Sequence, residues 1–416
     1  MQMNQKKMFL KYVSFNILSM VGLSCYIFAD TLFIAAGAGS RGLAALNLAL
    51  PVFSFMNGIG LMLGMGAATK YSILRAEGKT GRANQYFVQA MIAAAVLGVL
   101  LTVTGLCFSG QITRLLGADQ EVGALTERYL GTLLSFSAAF LLNNVLVCFV
   151  RNDGKPNLSM AAMLAGSFSN IILDYLFIFP MGLGMTGAAL ATGLAPVISM
   201  AVLSLHKLRG NNSFHLKAIK WEWHCLGRTA GVGAASFINE FSAGVVMLLF
   251  NFVILRLAGN TGVAAYGVVA NLSLIVMAVF TGIAQGIQPI VSTSFGKKEF
   301  GGLLRVGGAA LLLAVCLGAA FYLTGLLFPK QIVGMFNGAG DAQLQEIAEK
   351  GIRLYFTAFL IMGLNIVASA FFAAVAKQRQ SAVVSVLRGF GAVLPFLAVL
   401  SLCMGMTGVF LAVPFA

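Results

Sequence analysis

Three acidic residues lie inside long apolar segments, where a carboxylate could bind a proton or a metal cation. They are Asp30 in YIFADTLFIAAG, Asp174 in SNIILDYLFIF and Glu240 in ASFINEFSAGVV. A charge placed in hydrocarbon costs at least about 2.5 kcal/mol, so a carboxylate that persists there is a candidate for function. The alternative is a structural carboxylate near a helix end or beside a partner, and the nearby loop makes this alternative strongest for Asp30.

Asn170 lies four residues before Asp174 and therefore on the same face of a helix. The two side chains could share a proton or a cation. A carboxylic acid in a medium of low dielectric constant keeps its proton to a higher pH than in water, so it can exchange protons near neutral pH. Carboxylate, amide and hydroxyl oxygens could equally coordinate Na⁺. The sequence leaves both ions open, and we expect no other cofactor.

The second half of the chain holds further polar residues in apolar segments. For Arg388 we favour a side chain that reaches back to the membrane surface, because Lys377 and Arg379 are near, over one that stays in the interior. Uncharged polar residues could contact a substrate, although many only join helices by hydrogen bonds. The candidates are Asn271, Gln285, Gln288 and Asn365.

The composition requires that these segments lie in lipid. Of the 416 residues, 59% are hydrophobic and 10% are charged, whereas a soluble domain carries about a quarter charged residues. A net charge of +14 could suggest a nucleic-acid-binding protein. However, the basic residues cluster in short connections between apolar segments, as in membrane proteins. We therefore expect membrane lipid, and no nucleic acid, as a partner.

Motifs of metal sites and of membrane-embedded enzymes are missing from the sequence. The six cysteines form no CxxC pair, and no HExxH or GxSxG pattern occurs. His206, His215 and His224 have no zinc-site spacing, and we interpret them as residues of a solvated loop. An enzyme and a channel are both disfavoured.

Twelve segments are apolar over roughly the 20 residues that a membrane span needs, apart from a last one of half that length. Of the 27 Lys and Arg residues, 19 fall in one set of alternate connections and seven in the other, apart from Arg388. This bias places the N-terminus in the cytoplasm of a multi-pass protein of the inner (cytoplasmic) membrane. The predicted segments are 9–36, 46–69, 84–108, 127–150, 157–180, 186–206, 229–256, 262–290, 303–328, 351–375, 380–402 and 406–416.

The chain contains an internal repeat in which the second half follows the first at a nearly constant offset. GMTGAALA at 184–191 recurs as GMTGVFLA at 405–412, and SRGLAA at 40–45 aligns with NTGVAA at 260–265. An offset of six helices keeps the orientation of each repeat in the membrane. We predict an all-α membrane protein of two pseudo-symmetric six-helix bundles, the N-lobe (1–206) and the C-lobe (229–416), joined by a cytoplasmic loop (207–228). Comparison of the repeats indicates that the twelfth helix is cut short, the alternative being a short final helix.

Several motifs resemble those of the multidrug and toxic compound extrusion (MATE) family of transporters. The resemblance extends in order along nearly the whole chain. It is carried by ADTLFI at 29–34, GLAAL at 42–46 with Pro51, GLMLGMGAATKYSILRAEG at 60–78, NIILD at 170–174, and GIQPI at 286–290 with Gly296.

The resemblance implies a monomeric antiporter that exports small organic cations or drugs by alternating access in exchange for H⁺ or Na⁺. It implies a cation site of Asp30, Asn170 and Asp174, which could hold Na⁺, with Thr192 as a further member. Glu240 matches an acid that some branches use. Two features depart from the family pattern: Tyr175 stands where many relatives have proline, and the tenth segment carries no acid.

The content of 33 Phe and 19 Met is compatible with a cavity for flat lipophilic cations. Most such residues in a membrane protein only pack helices or face lipid. The main alternative function is a lipid-linked oligosaccharide flippase of the same superfamily. Such a protein would need several basic residues in its cavity to hold pyrophosphate, and Arg388 is the single candidate.

Overall fold

The computed structural model of the protein describes residues 3–118, 120–208, 210, 212–217, 221–336 and 342–416. The described chain is almost entirely helical and contains no strand. A helix satisfies its backbone hydrogen bonds internally, as lipid requires. Ten helices in the described part are long and apolar enough to cross a bilayer, one bent pair adds a further span, and one shorter apolar helix follows.

We number these twelve helices α1 to α12. Each overlaps one of the twelve predicted segments, so the predicted all-helical membrane fold is confirmed. The helices are α1 (Gln5–Gly39), α2 (Arg41–Ala76), α3 (Thr80–Leu115), α4 (Glu121–Ser135 and Ser137–Asn152), α5 (Pro156–Ile178), α6 (Gly184–Leu208), α7 (Trp223–Gly259), α8 (Thr261–Gly296), α9 (Phe300–Leu327), α10 (Ala342–Ala374), α11 (Gln378–Met404) and α12 (Met406–Phe415).

The two halves of the chain interrupt their helices at corresponding positions. Gly39 separates α1 from α2 at φ 65°, and Gly259, at the matching place in the second repeat, separates α7 from α8 at φ 59°. Glycine tolerates this left-handed region, which other residues enter only with strain. The bend of α4 at Phe136 has its counterpart in the 3₁₀ turn that begins at Phe356 in α10. The sequence repeat is therefore also a repeat of backbone geometry.

The buried apolar side chains form two separate cores. One is built by residues between Ile34 and Cys225, and the other by residues between Phe250 and Ala412. The second core also takes in Phe9, Tyr12 and Val13 from the start of α1. The first helix consequently packs against both halves of the molecule.

The halves meet along a contact of backbone against backbone. A Cβ atom at Gly66 of α2 would clash with the carbonyl oxygen of Thr229, and one at Gly233 of α7 would clash with Met62. A Cβ atom at Gly286 of α8 would likewise come within 2.8 Å of the backbone of α1 at Val13. We call this contact the glycine seam (Gly66, Gly233 and Gly286). It lies toward the end of the molecule where α2 and α8 terminate at basic connections, which we call the basic end.

Candidate functional site

The carboxyl groups of Asp30 on α1 and Asp174 on α5 lie within hydrogen-bonding contact of each other. Both residues are buried, with exposed fractions of 6% and 0%. One oxygen of each, Oδ1, has no hydrogen-bond partner among the described residues. Two carboxylates this close cannot both stay charged without a compensating cation, so the pair must share a proton or bind a positive ion.

Asn170 and Thr192 complete the surroundings of Asp174. The orientation of the Asn170 amide follows from its hydrogen-bonding network. With its nitrogen toward Asp174, Nδ2 donates to Oδ2 over 3.1 Å, and Oδ1 accepts from the backbone N–H of Thr192 over 3.1 Å. The structure thus brings together four of the residues that the sequence and the family resemblance singled out.

Two tyrosines at this site were not predicted from the sequence. The hydroxyl of Tyr129 on α4 lies within hydrogen-bonding contact of Thr192, and Tyr26 precedes Asp30 by one helical turn. Both rings are buried. The spacing of Tyr26 and Asp30 was a usable signal, because residues i and i+4 share a helix face. The contact of Tyr129 depends on how α4 packs and had no local signal.

A cavity of about 510 Å³ lies between the two halves of the molecule and is lined by residues of both. Residues of α1, α2, α7, α8 and α10 form most of its wall. Its charged lining residues among those described are Asp30, Glu240 and Arg388. Asp174 and Asn170 lie behind Asp30 and outside the wall, so Asp30 is shared between the buried carboxyl pair and the cavity.

The cavity wall is rich in methionine and poor in phenylalanine. Among the described residues Phe53 is the one phenylalanine that lines it, together with Tyr26 and Tyr129. Other phenylalanines pack against each other, such as the stacked pair Phe237 and Phe241, whose ring centroids are 5.6 Å apart. The wall can therefore adapt to ligands mainly through flexible thioether side chains, namely those of Met20, Met65, Met247 and Met277.

Glu240 on α7 is joined to the N-lobe by a chain of amides. Asn57 on α2 donates to Oε1 of Glu240 over 2.7 Å, and Asn144 on α4 donates to Oδ1 of Asn57 over 2.7 Å. In the sequence, Glu240 is the one acid within a predicted apolar segment of the second half. Its hydrogen-bond partner is a residue of the opposite lobe, which the sequence did not reveal.

Arg388 on α11 does not reach back to the membrane surface, so the interpretation that we favoured from the sequence is wrong. Its Nη2 donates to Oδ1 of Asn239 over 2.8 Å, and the side chain lines the cavity. The helix has a π turn over Leu387–Gly391, and such a turn changes the direction in which side chains leave a helix.

Of the four residues predicted to contact a substrate, two line the cavity and two lie outside its wall. Asn271 and Gln285 of α8 line the cavity. Gln288 is fully buried outside the wall, where its Nε2 donates to Thr69 over 2.9 Å. Asn365 of α10 is half-buried and lies outside the wall as well.

Arg151, at the end of α4, joins the two halves near the glycine seam. Its side chain is fully buried, and Nη1 donates to Asn16 over 2.8 Å and to Gln285 over 2.5 Å. The neighbouring Asn152 donates to Gln288 over 3.0 Å. These hydrogen bonds connect the lobes at the basic end of the cavity.

The histidines were expected in a solvated loop, and for His206 this is wrong. α6 continues to Leu208, and His206 is buried, with Nε2 at 2.9 Å from the carboxylate of Asp153. Arg75 also pairs with Asp153. The segment that follows α6 is attached to this cluster through the backbone N–H of Ser213.

The comparisons with known proteins all indicate the same class of protein. The family model MatE matches residues 16–176 and 235–399, which is well over half of the chain. The multidrug export protein MepA of Staphylococcus aureus is 27% identical over 385 residues, covering 91% of this chain and 83% of the relative. MepA of Staphylococcus saprophyticus matches to the same extent.

Solved structures share the fold at lower identity. A MATE protein in complex with MaL6 superposes with a TM-score of 0.92 at 23% identity and covers 99% of this chain and 92% of that chain. A MOP superfamily transporter from Pyrococcus furiosus gives 0.89 at 23% identity, with coverages of 99% and 92%. The Vibrio cholerae MATE transporter VcmN gives 0.90 at 18%, with coverages of 99% and 93%.

Proposed function

The chain belongs to the MatE family and is a multi-pass membrane transporter rather than an enzyme, and we propose that it exports small organic cations in exchange for H⁺ or Na⁺. The observation that carries the proposal is the buried pair of Asp30 and Asp174, because each keeps one carboxylate oxygen without a partner among the described residues. A proton shared between these oxygens, or a cation bound by them, would satisfy both.

The position of Asp30 supports competition between the coupling ion and the substrate. It contacts Asp174 on one side and borders the cavity on the other. With one proton shared, the pair keeps a net charge of −1, which attracts a cation in the cavity. Once a second proton or a Na⁺ neutralises the pair, that attraction is lost and the substrate is released. The methionine-rich wall fits substrates of varied shape, in line with the multidrug export named for the relatives in Staphylococcus.

The contacts at the basic end support alternating access. There the lobes are joined by the glycine seam and by the hydrogen bonds of Arg151 and Gln288. With the N-terminus and the basic connections in the cytoplasm, as we propose from the charge distribution, this arrangement closes the cavity toward the cytoplasm. Export would require this end to open and the opposite end to close.

We propose residues 1–206 and 229–416 as the two lobes that move, with a single chain as the working unit. One chain supplies the cavity wall from α1, α2, α7, α8, α10 and α11, so no second copy is needed to form the substrate site. The lipid-linked oligosaccharide flippase is the weaker candidate, because among the described lining residues Arg388 is the one basic group available to hold a pyrophosphate.

The test uses everted membrane vesicles that contain a pH-sensitive dye and are energised by respiration. Addition of ethidium should release protons from vesicles with the wild-type protein. Asp30→Asn and Asp174→Asn should each reduce this release to background, because the altered pair can no longer hold a dissociable proton between two carboxylates. Glu299→Gln is the matched control, because Glu299 is an exposed acid at the basic end. Intact ethidium-driven release in both variants would refute the proposed site.

The same vesicles assayed with and without Na⁺ separate the two ions. Proton release that is independent of Na⁺ identifies H⁺ as the coupling ion. Ethidium movement that requires Na⁺ and releases no proton identifies Na⁺. If ethidium movement is coupled to neither H⁺ nor Na⁺, antiport itself is refuted.

A further inference from the structure

Arg388 places a positive charge inside a helix long and apolar enough to cross a membrane. It follows Gln378, the first residue of α11, by ten positions, which corresponds to about 15 Å along a helix. The hydrocarbon core of a bilayer is about 30 Å thick, so Arg388 lies well inside the span formed by α11. A guanidinium at this depth requires partners that hydrogen-bond it and balance its charge.

The partners of Arg388 in the protein are incomplete. Asn239 accepts one hydrogen bond from Nη2, and Nε is buried without a partner among the described residues. None of the ion pairs in the described part of the chain involves Arg388. A neutral amide satisfies one donor but leaves the charge unbalanced, so the guanidinium in the cavity wall has no anionic partner among the described residues.

The backbone around Arg388 fixes the direction of its side chain. The π turn spans Leu387–Gly391, and π turns often occur at functional sites. At Gly389 a Cβ would come within 2.6 Å of the hydroxyl of Ser242 on α7. α11 therefore packs closely on α7 at the π turn, which places Arg388 beside Asn239 and in the cavity wall.

We propose that Arg388 is a subsite for a carboxylate carried by the substrate. The planar guanidinium offers parallel N–H groups that match the two oxygens of a carboxylate. The cavity also contains Asp30 and Glu240, which attract a cationic group. The protein would thereby favour zwitterionic amphiphiles, whose carboxylate pairs with Arg388 and whose cationic centre faces the acids. This inference rests on the proposed export of organic cations and extends it to a class of substrate.

Rhodamine B and its ethyl ester provide the test. Both carry the same delocalised cation, and only rhodamine B carries a free carboxylate. Binding to the purified protein in detergent is measured by fluorescence anisotropy, and export is measured in everted vesicles. Wild-type protein should bind rhodamine B several-fold more tightly than the ester, an effect on the scale of a charge-assisted hydrogen bond. Equal affinities, or tighter binding of the ester, would overturn the proposal without any variant.

Substitutions then assign the preference to Arg388. Arg388→Gln should weaken the binding of rhodamine B about tenfold, because a charged hydrogen bond is lost, and should strengthen the binding of the ester, because a repulsive charge is removed. Arg388→Lys should fall between wild type and Arg388→Gln for both dyes. Arg305→Gln, at an exposed basic residue outside the cavity, is the control and should change neither.

The outcomes separate the subsite from the transport function. A loss of affinity by the same factor for both dyes would show that Arg388 is only structural and would overturn the subsite. Selective binding of rhodamine B without export of either dye would support the subsite and refute the proposed export.

Discussion

The N-lobe and the C-lobe have helix kinks at matching positions. At one pair of corresponding positions, however, the N-lobe has a polar interior and the C-lobe an apolar one. Asp30 lies in a buried polar site with Asp174, Asn170 and Thr192. Its counterpart in the second repeat is Phe250, which is fully buried and stacked on Tyr266 with ring centroids 5.4 Å apart. In the part of the chain that the structure describes, the carboxyl pair thus has no counterpart at the corresponding position of the C-lobe.

This difference separates what the two repeats share from what they do not. Glycine kinks and helix breaks recur at matching positions in the two halves, because both lobes must turn at the same places. Among the described residues, the C-lobe charges that line the cavity are those of Glu240 and Arg388. The N-lobe thus contains the buried carboxyl pair, and the C-lobe contributes charged groups that face the cavity.

The largest effect is expected when an aspartate like Asp30 is introduced at the corresponding position of the C-lobe. Phe250→Asp should lower the free energy of unfolding by about 3–5 kcal/mol or more, because it removes a buried ring and adds a charge without a partner. The measurement is the temperature at which the detergent-solubilised protein loses its monodisperse chromatographic peak. Phe300→Asp, at an exposed position where α9 begins, should change that temperature little. A stable Phe250→Asp variant with additional proton release would show that the C-lobe can also hold a coupling site.

A smaller effect is expected where the lobes meet through Asn57 and Glu240. A double-mutant cycle with Asn57→Ala and Glu240→Ala, each of which removes one partner of the hydrogen bond, should give a coupling free energy of about 1.5–3 kcal/mol, the range for hydrogen bonds to charged groups. The readout is unfolding of the purified protein in denaturant. Additive effects of the two substitutions would show that this hydrogen bond does not join the lobes energetically.

The smallest effect tests the symmetry of the scaffold. Gly39→Ala and Gly259→Ala should each destabilise the protein by about 1–2 kcal/mol, because alanine is strained at positive φ. Both φ angles are near 60°, and neither site has atoms that would clash with a methyl group. Thermal unfolding should give the same shift for both variants. Clearly unequal shifts would contradict the equivalence of the two kinks.

The amino-acid sequence predicted what depends on local patterns. Hydropathy located each span, since lipid requires about 20 apolar residues in a helix, and the i, i+4 spacing related Asn170 to Asp174. The contacts of Tyr129, Asn57 and Arg151 depend on which helices cross at which depth. No spacing along the chain encodes that arrangement, so these residues became visible only in the fold.

Arg388 and His206 show a second limit of prediction from the sequence. Lys377 and Arg379 near Arg388 suggested an orientation toward the membrane surface, but the π turn directs the side chain into the cavity. His206 lies among loop-like residues in the sequence, yet α6 extends past it and Asp153 pairs with it. In both cases a non-local partner contacts the polar side chain: the amide of Asn239 for Arg388 and the carboxylate of Asp153 for His206.

The glycine seam has a consequence for the speed of the conformational cycle. At Gly66, Gly233 and Gly286 the opposing helices touch without interlocking side chains, so their separation requires no repacking of large rotamers. Close-packed cores resist gradual deformation because each side chain must find a new well. At the glycine seam backbone contacts backbone, so the helices can separate and come together again in small steps without repacking side chains. In the alternating-access cycle that we propose, opening of this end should therefore be resisted mainly by the hydrogen bonds of Arg151 and Gln288 rather than by repacking of side chains.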